Sequence, residues 1–415
     1  MRFPQRSDVR THGLLLGVVL LLVYAAELTT PTLLGRSGQI KGADFSNFYV
    51  LGWLALNDRA SDLYDAAALR QTAAALLPES SDTFYLPIYG PQVALFFATF
   101  ARLPYEWSLV IWLLGTTVIY GVCVWLIWRT CPSLKREANA VLLLAASFPA
   151  FFNLITHGQN SAVALACFTA AYLALRAGRP FWAGLAIGSL VFKPQLGLAA
   201  ALVFLINREW RVVAGAVVAA GLQLWGTWLY FGTNVMTAYG QWLLGIGDLA
   251  PLLHVKPYQM HSLYSFWKLL IPWDPGALIF YGFTAGVVIW AACMVWRSGA
   301  SISLRYAFLL LATVLVSPHL YVYDLVILAP AFLIVGDWTL GQPAGPFAKP
   351  MQRTLYFSYA LPLAGAAAQF TRLQLSVVAF LALSAVLGLA VFELSDGDNP
   401  LAKALRAGMS RWVIG

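Results

Sequence analysis

Charge is scarce in this 415-residue chain: Asp, Glu, Lys and Arg together make up 11% of it, against about a quarter in an ordinary soluble domain. That deficit excludes a water-soluble globular protein. Cysteine is scarce as well. Cys123, Cys131, Cys167 and Cys293 lie in or beside apolar segments without the spacing of a metal site, and no soluble ectodomain is present for disulfides to staple, so they read as packing residues. There is no Walker loop, no dinucleotide-binding glycine pattern and no His or Cys ligand set. A nucleotide-using cytoplasmic site, a cofactor and a metal are therefore not expected. The net charge of +8 comes from cations scattered between apolar runs, whereas nucleic-acid binding needs a clustered basic face. No internal repeat or low-complexity tract stands out.

What the chain has in excess is hydrocarbon. Hydrophobic residues make up 60% of it and the mean hydropathy is +0.72, the profile of an all-α polytopic membrane protein. Sixteen Trp and eighteen Tyr suit the interfacial belts, where a ring keeps one end apolar and one end wet. Apolar runs separated by polar turns predict about twelve transmembrane helices, at 14–30, 108–128, 140–155, 161–175, 181–192, 196–206, 212–231, 277–296, 306–316, 320–336, 355–370 and 375–392. The run 88–101 has fewer residues than the roughly 20 a span needs and reads as re-entrant. Arg2, Arg6 and Arg10 precede the first apolar run, and no convincing small-residue cleavage motif follows it, so a retained first helix is expected. This topology puts 17 Lys and Arg on the side of both termini and 9 on the other. By the positive-inside rule the termini are then cytoplasmic, in a cell (plasma) membrane.

Two outer loops carry the unusual chemistry. The first, 31–107, holds Asp44 in the stretch Gly42-Ala-Asp-Phe-Ser-Asn-Phe-Tyr49 and continues in a mixture of aromatic, apolar and acidic residues. It predicts amphipathic helices on the membrane surface, with Leu51, Leu54 and Leu56 buried and Asp58, Arg59 and Asp62 wet. The second, 232–276, carries His254, Lys256, Tyr258, His261 and Trp267, a set suited to an outer lid or sugar site. Asp44 is the candidate general base, since a carboxylate in a partly apolar cleft can take a proton from a sugar hydroxyl. Its plainer reading is an N-cap for the helix that follows.

Lys193 stands before Pro194 between two short apolar runs, and a cation there suits the phosphate of a leaving group. Alternatively it is a lysine snorkelling to the interface. His157, Gln159 and Asn160 share a turn opened by Gly158 and could bond sugar hydroxyls or phosphate oxygens, although Asn160 could simply cap the next helix. His319 could aid a leaving phosphate. Asp324 reads better as a structural contact, with His319 as a possible partner. All these positions fall on the outer side of the proposed topology.

The Asp44-Phe45 start, Tyr49, Gly52, Leu63-Tyr64-Asp65, Tyr85-Leu86-Pro87, Gly158-Gln159-Asn160, Lys193-Pro194 and the segment from His319 to Asp324 together resemble glycosyltransferase family 87. More narrowly, they resemble its polyprenol-phosphate-mannose-dependent mannosyltransferases of the kind that elongates phosphatidylinositol mannosides. The resemblance runs from the first span to about Pro330. It implies a GT-C fold, an aspartate in the first outer loop as catalytic base and a lipid-phosphate sugar donor. Carried over, Asp44 is the base, Lys193 and His319 lie near the donor phosphate, and Tyr49 and Tyr85 join His157, Gln159, Asn160 and His261 as substrate contacts. The Lys-Pro-Gln motif at 193 and the long second loop depart from the pattern and leave the acceptor unmatched.

The reading that results is an inverting transferase, moving a hexose, most readily mannose, from a polyprenyl-phosphate sugar to a lipid-linked or glycan acceptor on the outer face, among membrane lipids. Its rival is a transporter or lipid flippase, with the same polar residues lining a pathway. A structural scaffold for envelope assembly is the third reading.

Overall fold

The computed structural model describes residues 6–80, 88–249, 256–342 and 345–395. Its regular structure is helical. The first helix, α1 (Arg6–Leu28), is followed by α2 (Ala43–Leu56), α3 (Ala66–Leu76) and α4 (Pro91–Ala98), and then by the long α5 (Tyr105–Trp128). The middle of the chain is a series of short helices: α6 (Ala138–Ala146), α7 (Pro149–His157), α8 (Ser161–Arg176), α9 (Pro180–Gly188) and α10 (Pro194–Ile206). Next come α11 (Trp210–Leu249), broken at Gly232 by a positive φ of 79°, α12 (Leu263–Leu270), α13 (Asp274–Arg297) and α14 (Ile302–Val316). A 3₁₀ segment, Val322–Leu328, runs into α15 (Ala329–Gly341). Beyond it lie α16 (Ala348–Ala360), α17 (Ala368–Thr371) and α18 (Leu375–Ser395).

Among the described residues six helical segments are long and apolar enough to cross a membrane, or seven if the pair 133–146 and 149–157, bent by 42°, counts as one span. Four further apolar helices, 161–176, 180–192, 194–206 and 302–316, are shorter. A count of about twelve crossings therefore depends on helices below full span length. The run 88–101 becomes α4 and a 3₁₀ turn, Phe100–Arg102, packed against α2.

Small residues let helices touch backbone to backbone, the arrangement favoured where lipid removes the hydrophobic drive between helices. On α9, Gly184 and Gly188 lie against the backbone of α11 at Val212 and Ala216, and Gly215 of α11 lies against Phe181. In the first loop, Gly52 of α2 faces the backbone of Phe97 on α4.

Two apolar cores result. The larger joins α5 to α18; the smaller is built from residues 40–112 with Val235, around Phe45, Phe48, Phe97 and Trp112. Helix α2 buries eleven of its fourteen residues, so it is enclosed by its neighbours. The surface-lying amphipathic helix expected there gives way to an internal one, because α4 and the start of α5 cover the face expected to meet solvent. Leu51 and Leu54 are buried and Asp58 is exposed, as their polarity requires, while Arg59 and Asp62 form an ion pair, Nε to Oδ2 2.8 Å. The outer loop expected at 232–276 begins inside α11, which continues through the Gly232 break; Tyr239 there meets Tyr64 of the first loop, ring centroids 5.6 Å apart. A cavity of about 750 Å³, lined mostly by apolar side chains of α1, α5, α6, α15 and α16, lies elsewhere, and none of the residues in the polar cluster described next lines it.

Candidate active site

The two cores meet at a chain of polar groups. Helix α2 starts at Gly42, whose left-handed backbone (φ 67°) turns the chain abruptly into the helix, a conformation glycine adopts without steric penalty. Gly158, also left-handed (φ 64°), ends α7. A Cβ on Gly158 would stand 2.7 Å from the Cβ of Phe45 and 3.5 Å from the Cα of Gly42. The two glycine turns therefore pack against one another, and this places Asp44 beside Gln159. Gln159 Nε2 donates to Asp44 Oδ2 at 2.9 Å. The N-cap reading of Asp44 is thus overturned: the capping position belongs to Gly42, and the carboxylate faces across to another helix turn.

Behind Gln159 the cluster is closed to solvent. Lys193 ends the 3₁₀ turn Ser189–Phe192 and precedes Pro194, the first residue of α10. Its Nζ donates to Gln159 Oε1 (3.1 Å), Ser161 Oγ (2.8 Å) and Asp324 Oδ1 (2.8 Å). Ser161 Oγ donates in turn to Asp324 Oδ1 at 2.6 Å, and the Tyr321 N–H donates to Asp324 Oδ2 at 3.2 Å. Lys193 and Asp324 are each 2% exposed. A buried ion pair is tolerated only when further hydrogen bonds satisfy both partners, and here they do. The snorkelling reading of Lys193 fails, because its ammonium points inward. An ammonium has three N–H groups, and all three are engaged within the protein, so the direct phosphate contact expected of Lys193 has no N–H left to make it.

A half-exposed rim of rings surrounds this buried floor. The rings of His157 and Tyr323 lie 5.8 Å apart, Tyr323 and Tyr321 5.5 Å, and Tyr321 and His319 5.0 Å; the Lys193 ammonium lies over Tyr323 at 5.2 Å. His157 Nδ1 is 3.0 Å from the carbonyl oxygen of Asn153. A carbonyl only accepts, so Nδ1 carries the proton in this contact. The ring nitrogens of His319 meet no hydrogen-bond partner among the described residues. Burial pushes the His319 pKa down and Lys193 adds to this, with Asp324 opposing; the ring is accordingly neutral at neutral pH. Tyr89, just before α4, approaches Gln159, and burial raises its pKa well above the usual phenol range.

Other expected contacts lie outside the cluster. Tyr49 belongs to the smaller core, where its hydroxyl donates to the carbonyl of Leu103 at 2.9 Å and its ring packs edge-on to Tyr105. His261 is fully buried. Its Nδ1 pairs with Ser376 Oγ at 2.7 Å and its N–H donates to the carbonyl of Leu320 at 3.0 Å. It ties the second loop to the His319 segment and does not reach Asp44. Asn160 stands at the N-cap position of α8 but its side chain makes no capping hydrogen bond; its N–H donates to Gln159 Oε1 at 3.0 Å, and its own Oδ1 is buried without a partner among the described residues. Tyr85 and His254 lie outside the described residues. Asp65 caps α3 by accepting from the N–H groups of Ala67 and Ala68. Sequence reasoning passed over Ser161, Tyr89, Tyr321 and Tyr323, although the alternation Leu320-Tyr-Val-Tyr-Asp324 is a visible aromatic signal beside His319. No three His, Cys, Asp or Glu side chains converge to hold a metal among the described residues.

The fold and site together describe a helical membrane protein with a half-exposed carboxylate held against a buried ion pair. The family model of glycosyltransferase family 87 matches residues 88–318, more than half of the chain. This protein belongs to glycosyltransferase family 87. The matched span contains His157, Gln159, Asn160, Lys193 and His261; Asp44 lies before it, and His319 and Asp324 just after. No curated protein and no solved structure matches the chain. As a glycosyltransferase it acts on a sugar donor and an acceptor in a membrane setting, and the transport reading is not favoured.

Proposed function

We propose that the protein is an inverting glycosyltransferase of GT-C type that transfers a hexose, mannose in the first instance, from a polyprenyl-phosphate sugar. The acceptor is a lipid-linked or glycan hydroxyl on the outer face of the cell membrane, with both termini cytoplasmic. In this reading the short helices join the six long ones to complete a bundle of about twelve crossings. The groove beside them admits the donor's hydrocarbon chain, where each buried CH₂ contributes about 0.8 kcal/mol.

The observation that carries the reading is the Asp44 carboxylate, half-exposed and, among the described residues, hydrogen-bonded on one oxygen only, by Gln159. Its other oxygen takes the proton of the acceptor hydroxyl as that oxygen attacks the anomeric carbon. The bond from the anomeric carbon to the phosphate oxygen breaks, its electron pair leaves on the phosphate, and a single displacement inverts the configuration. His319, neutral and with no partner for its ring nitrogens among the described residues, donates to the departing phosphate oxygen. Lys193 contributes its positive charge from behind the floor, through the field instead of a direct bond. His157 and Asn160 hold sugar hydroxyls, and Asn160 Oδ1, without a partner among the described residues, accepts from one of them, while the Gln159 amide is engaged by Asp44, Lys193 and Asn160.

The test is transfer of labelled mannose from polyprenyl-phosphate-mannose to a membrane lipid extract by purified protein, wild type beside Asp44→Asn. The wild type transfers; the variant, folded, loses on the order of 10²–10⁴-fold in rate, the range for removal of a general base. Transfer by neither protein with any lipid-phosphate sugar overturns the reading. Equal transfer by both removes Asp44 from its centre.

A further inference from the structure

We propose that Asp324 and Lys193 form an internal clamp that positions the base, with Gln159 as the linking piece; the inference rests on the function proposed above. A glutamine amide is almost symmetrical in shape, and which end faces a neighbour is decided by hydrogen bonding. At one end of Gln159 stand two groups that only donate, the Lys193 ammonium at 3.1 Å and the Asn160 N–H at 3.0 Å. That end must be the oxygen. The NH₂ is therefore forced toward Asp44, which as a carboxylate only accepts, at 2.9 Å. Asp324 fixes Lys193 in turn, and nothing in the chain from Asp324 to Asp44 is left to rotate freely.

The same carboxylate reaches the other side of the site. Asp324 Oδ2 accepts from the N–H of Tyr321, whose ring packs against His319. One buried acid therefore sets the base through Lys193 and Gln159 and the leaving-group side through Tyr321. Asp324 touches neither substrate nor the reacting atoms in this arrangement; it is a positioning residue, as are Lys193 and Gln159 toward Asp44. This gives the buried pair a purpose beyond stability, which a well-packed apolar replacement would supply equally well.

The groups that share Asp44's electrostatic surroundings are Tyr89, Tyr321 and Tyr323, with Lys193 and Asp324 behind Gln159. The elements packed on α2 add His157, Arg102, Glu106, Arg70 and the paired Arg59 and Asp62. Of these, Lys193 and Tyr89 also contact Gln159; burial keeps the Tyr89 phenol well above the acid limb, so a shift of that limb on substitution of Gln159 reports on the Gln159–Asp44 contact.

The experiment is a pH–rate profile and a kcat against KM comparison for Gln159→Leu, Gln159→Glu, Asp324→Asn and the double variant Gln159→Leu/Asp324→Asn, with thermal unfolding as the folding control. Gln159→Leu is expected to lower kcat by about 10²-fold, the effect of a misplaced catalytic group, with donor KM little changed. Gln159→Glu keeps the Lys193 partner but sets a second carboxylate against Asp44, and the acid limb of the profile moves up by about one pH unit or more. The double variant falls no further than Gln159→Leu alone, because both changes cut one chain. Additive losses, an unmoved acid limb in Gln159→Glu, or an effect confined to KM overturns the clamp while leaving the enzyme intact. Absence of transfer by the wild type overturns the functional reading and the clamp with it. If Asp324→Asn fails to fold, the Gln159→Glu profile decides alone.

Discussion

Gly158 and Phe45 lie so close that a Cβ added to the glycine would come within 2.7 Å of the Cβ of Phe45. The contact joins the end of α7 to the first turn of α2, and it sets the separation between Gln159 and Asp44. Trp112 secures the turn by donating from Nε1 to the Gly158 carbonyl at 2.8 Å.

Gly158→Ala is accordingly expected to damage the enzyme twice. The left-handed backbone alone costs about 1–2 kcal/mol for a residue with a side chain, and the clash pushes α2 away. Thermal unfolding in detergent should show a lowered midpoint. Transfer activity measured well below that midpoint should fall more than the unfolded fraction explains. A Gly158→Ala protein with wild-type activity would show that the spacing of the two turns is not what holds the site.

His319→Phe keeps a ring against Tyr321 while removing both nitrogens. The expected result is a loss in kcat of about 10²–10³-fold, the effect of removing one donor to a developing negative charge, in a protein as stable as wild type. His319→Asn should recover part of it. Steady-state kinetics on the two variants decides the matter, and wild-type kcat in His319→Phe would remove His319 from the leaving-group side.

Stability should fall in acid because of His261. Burial holds its pKa down from 6.5 to about 3 in the folded protein, so the unfolded chain binds the proton more readily. The stabilisation is complete above pH 6.5 and is lost progressively as pH falls toward 3, by about 1.4 kcal/mol per pH unit. Unfolding midpoints at pH 7 and pH 5 should differ, and His261→Asn should flatten that slope. The site is tight enough for this to matter: a Cβ on Gly365 would meet His261 Cε1 at 2.9 Å.

Gly184→Leu and Gly188→Leu are expected to separate α9 from α11, since the partner at each position is backbone and cannot swing aside. Overpacking of this kind costs about 1–3 kcal/mol. Lowered yield of folded protein after detergent extraction is the readout, and unchanged yield in both variants would contradict the close approach.

Hydropathy located the helices well. Each apolar run read from the sequence coincides with helix in the structure, because in a membrane the backbone has little alternative. Length was legible as well: the runs at 181–192 and 196–206, too short in sequence for a full crossing, are short helices in the structure, as are 161–176 and 302–316. The enclosure of α2 was also illegible, since its mixed composition suits a surface as well as an interior, and only contact with α4 distinguishes them. At the site, Asp44, Gln159 and Lys193 were found individually from their local oddity. Their grouping on one side was read from the topology, but the hydrogen bonds that link them were not. Asp324 was weighed against the nearby His319, whereas its partner is Lys193, 131 residues away; local spacing cannot report a pairing made by the tertiary fold. Tyr49 and His261 stood out as polar groups in suggestive loops, and the fold spends the Tyr49 hydroxyl on the Leu103 carbonyl and the His261 Nδ1 on Ser376.

The sequence distance between Lys193 and Asp324 has a consequence for biosynthesis. During synthesis Lys193 emerges 131 residues ahead of its counter-ion, while an unpaired ammonium at the centre of a membrane helix carries an insertion penalty of about 2.5–3.5 kcal/mol. The turn around Lys193 must therefore wait in water or at the headgroups until the segment bearing Asp324 has been made. A chain stopped before residue 324 thus leaves the turn at Lys193 without the partner that lets its charge pack inward.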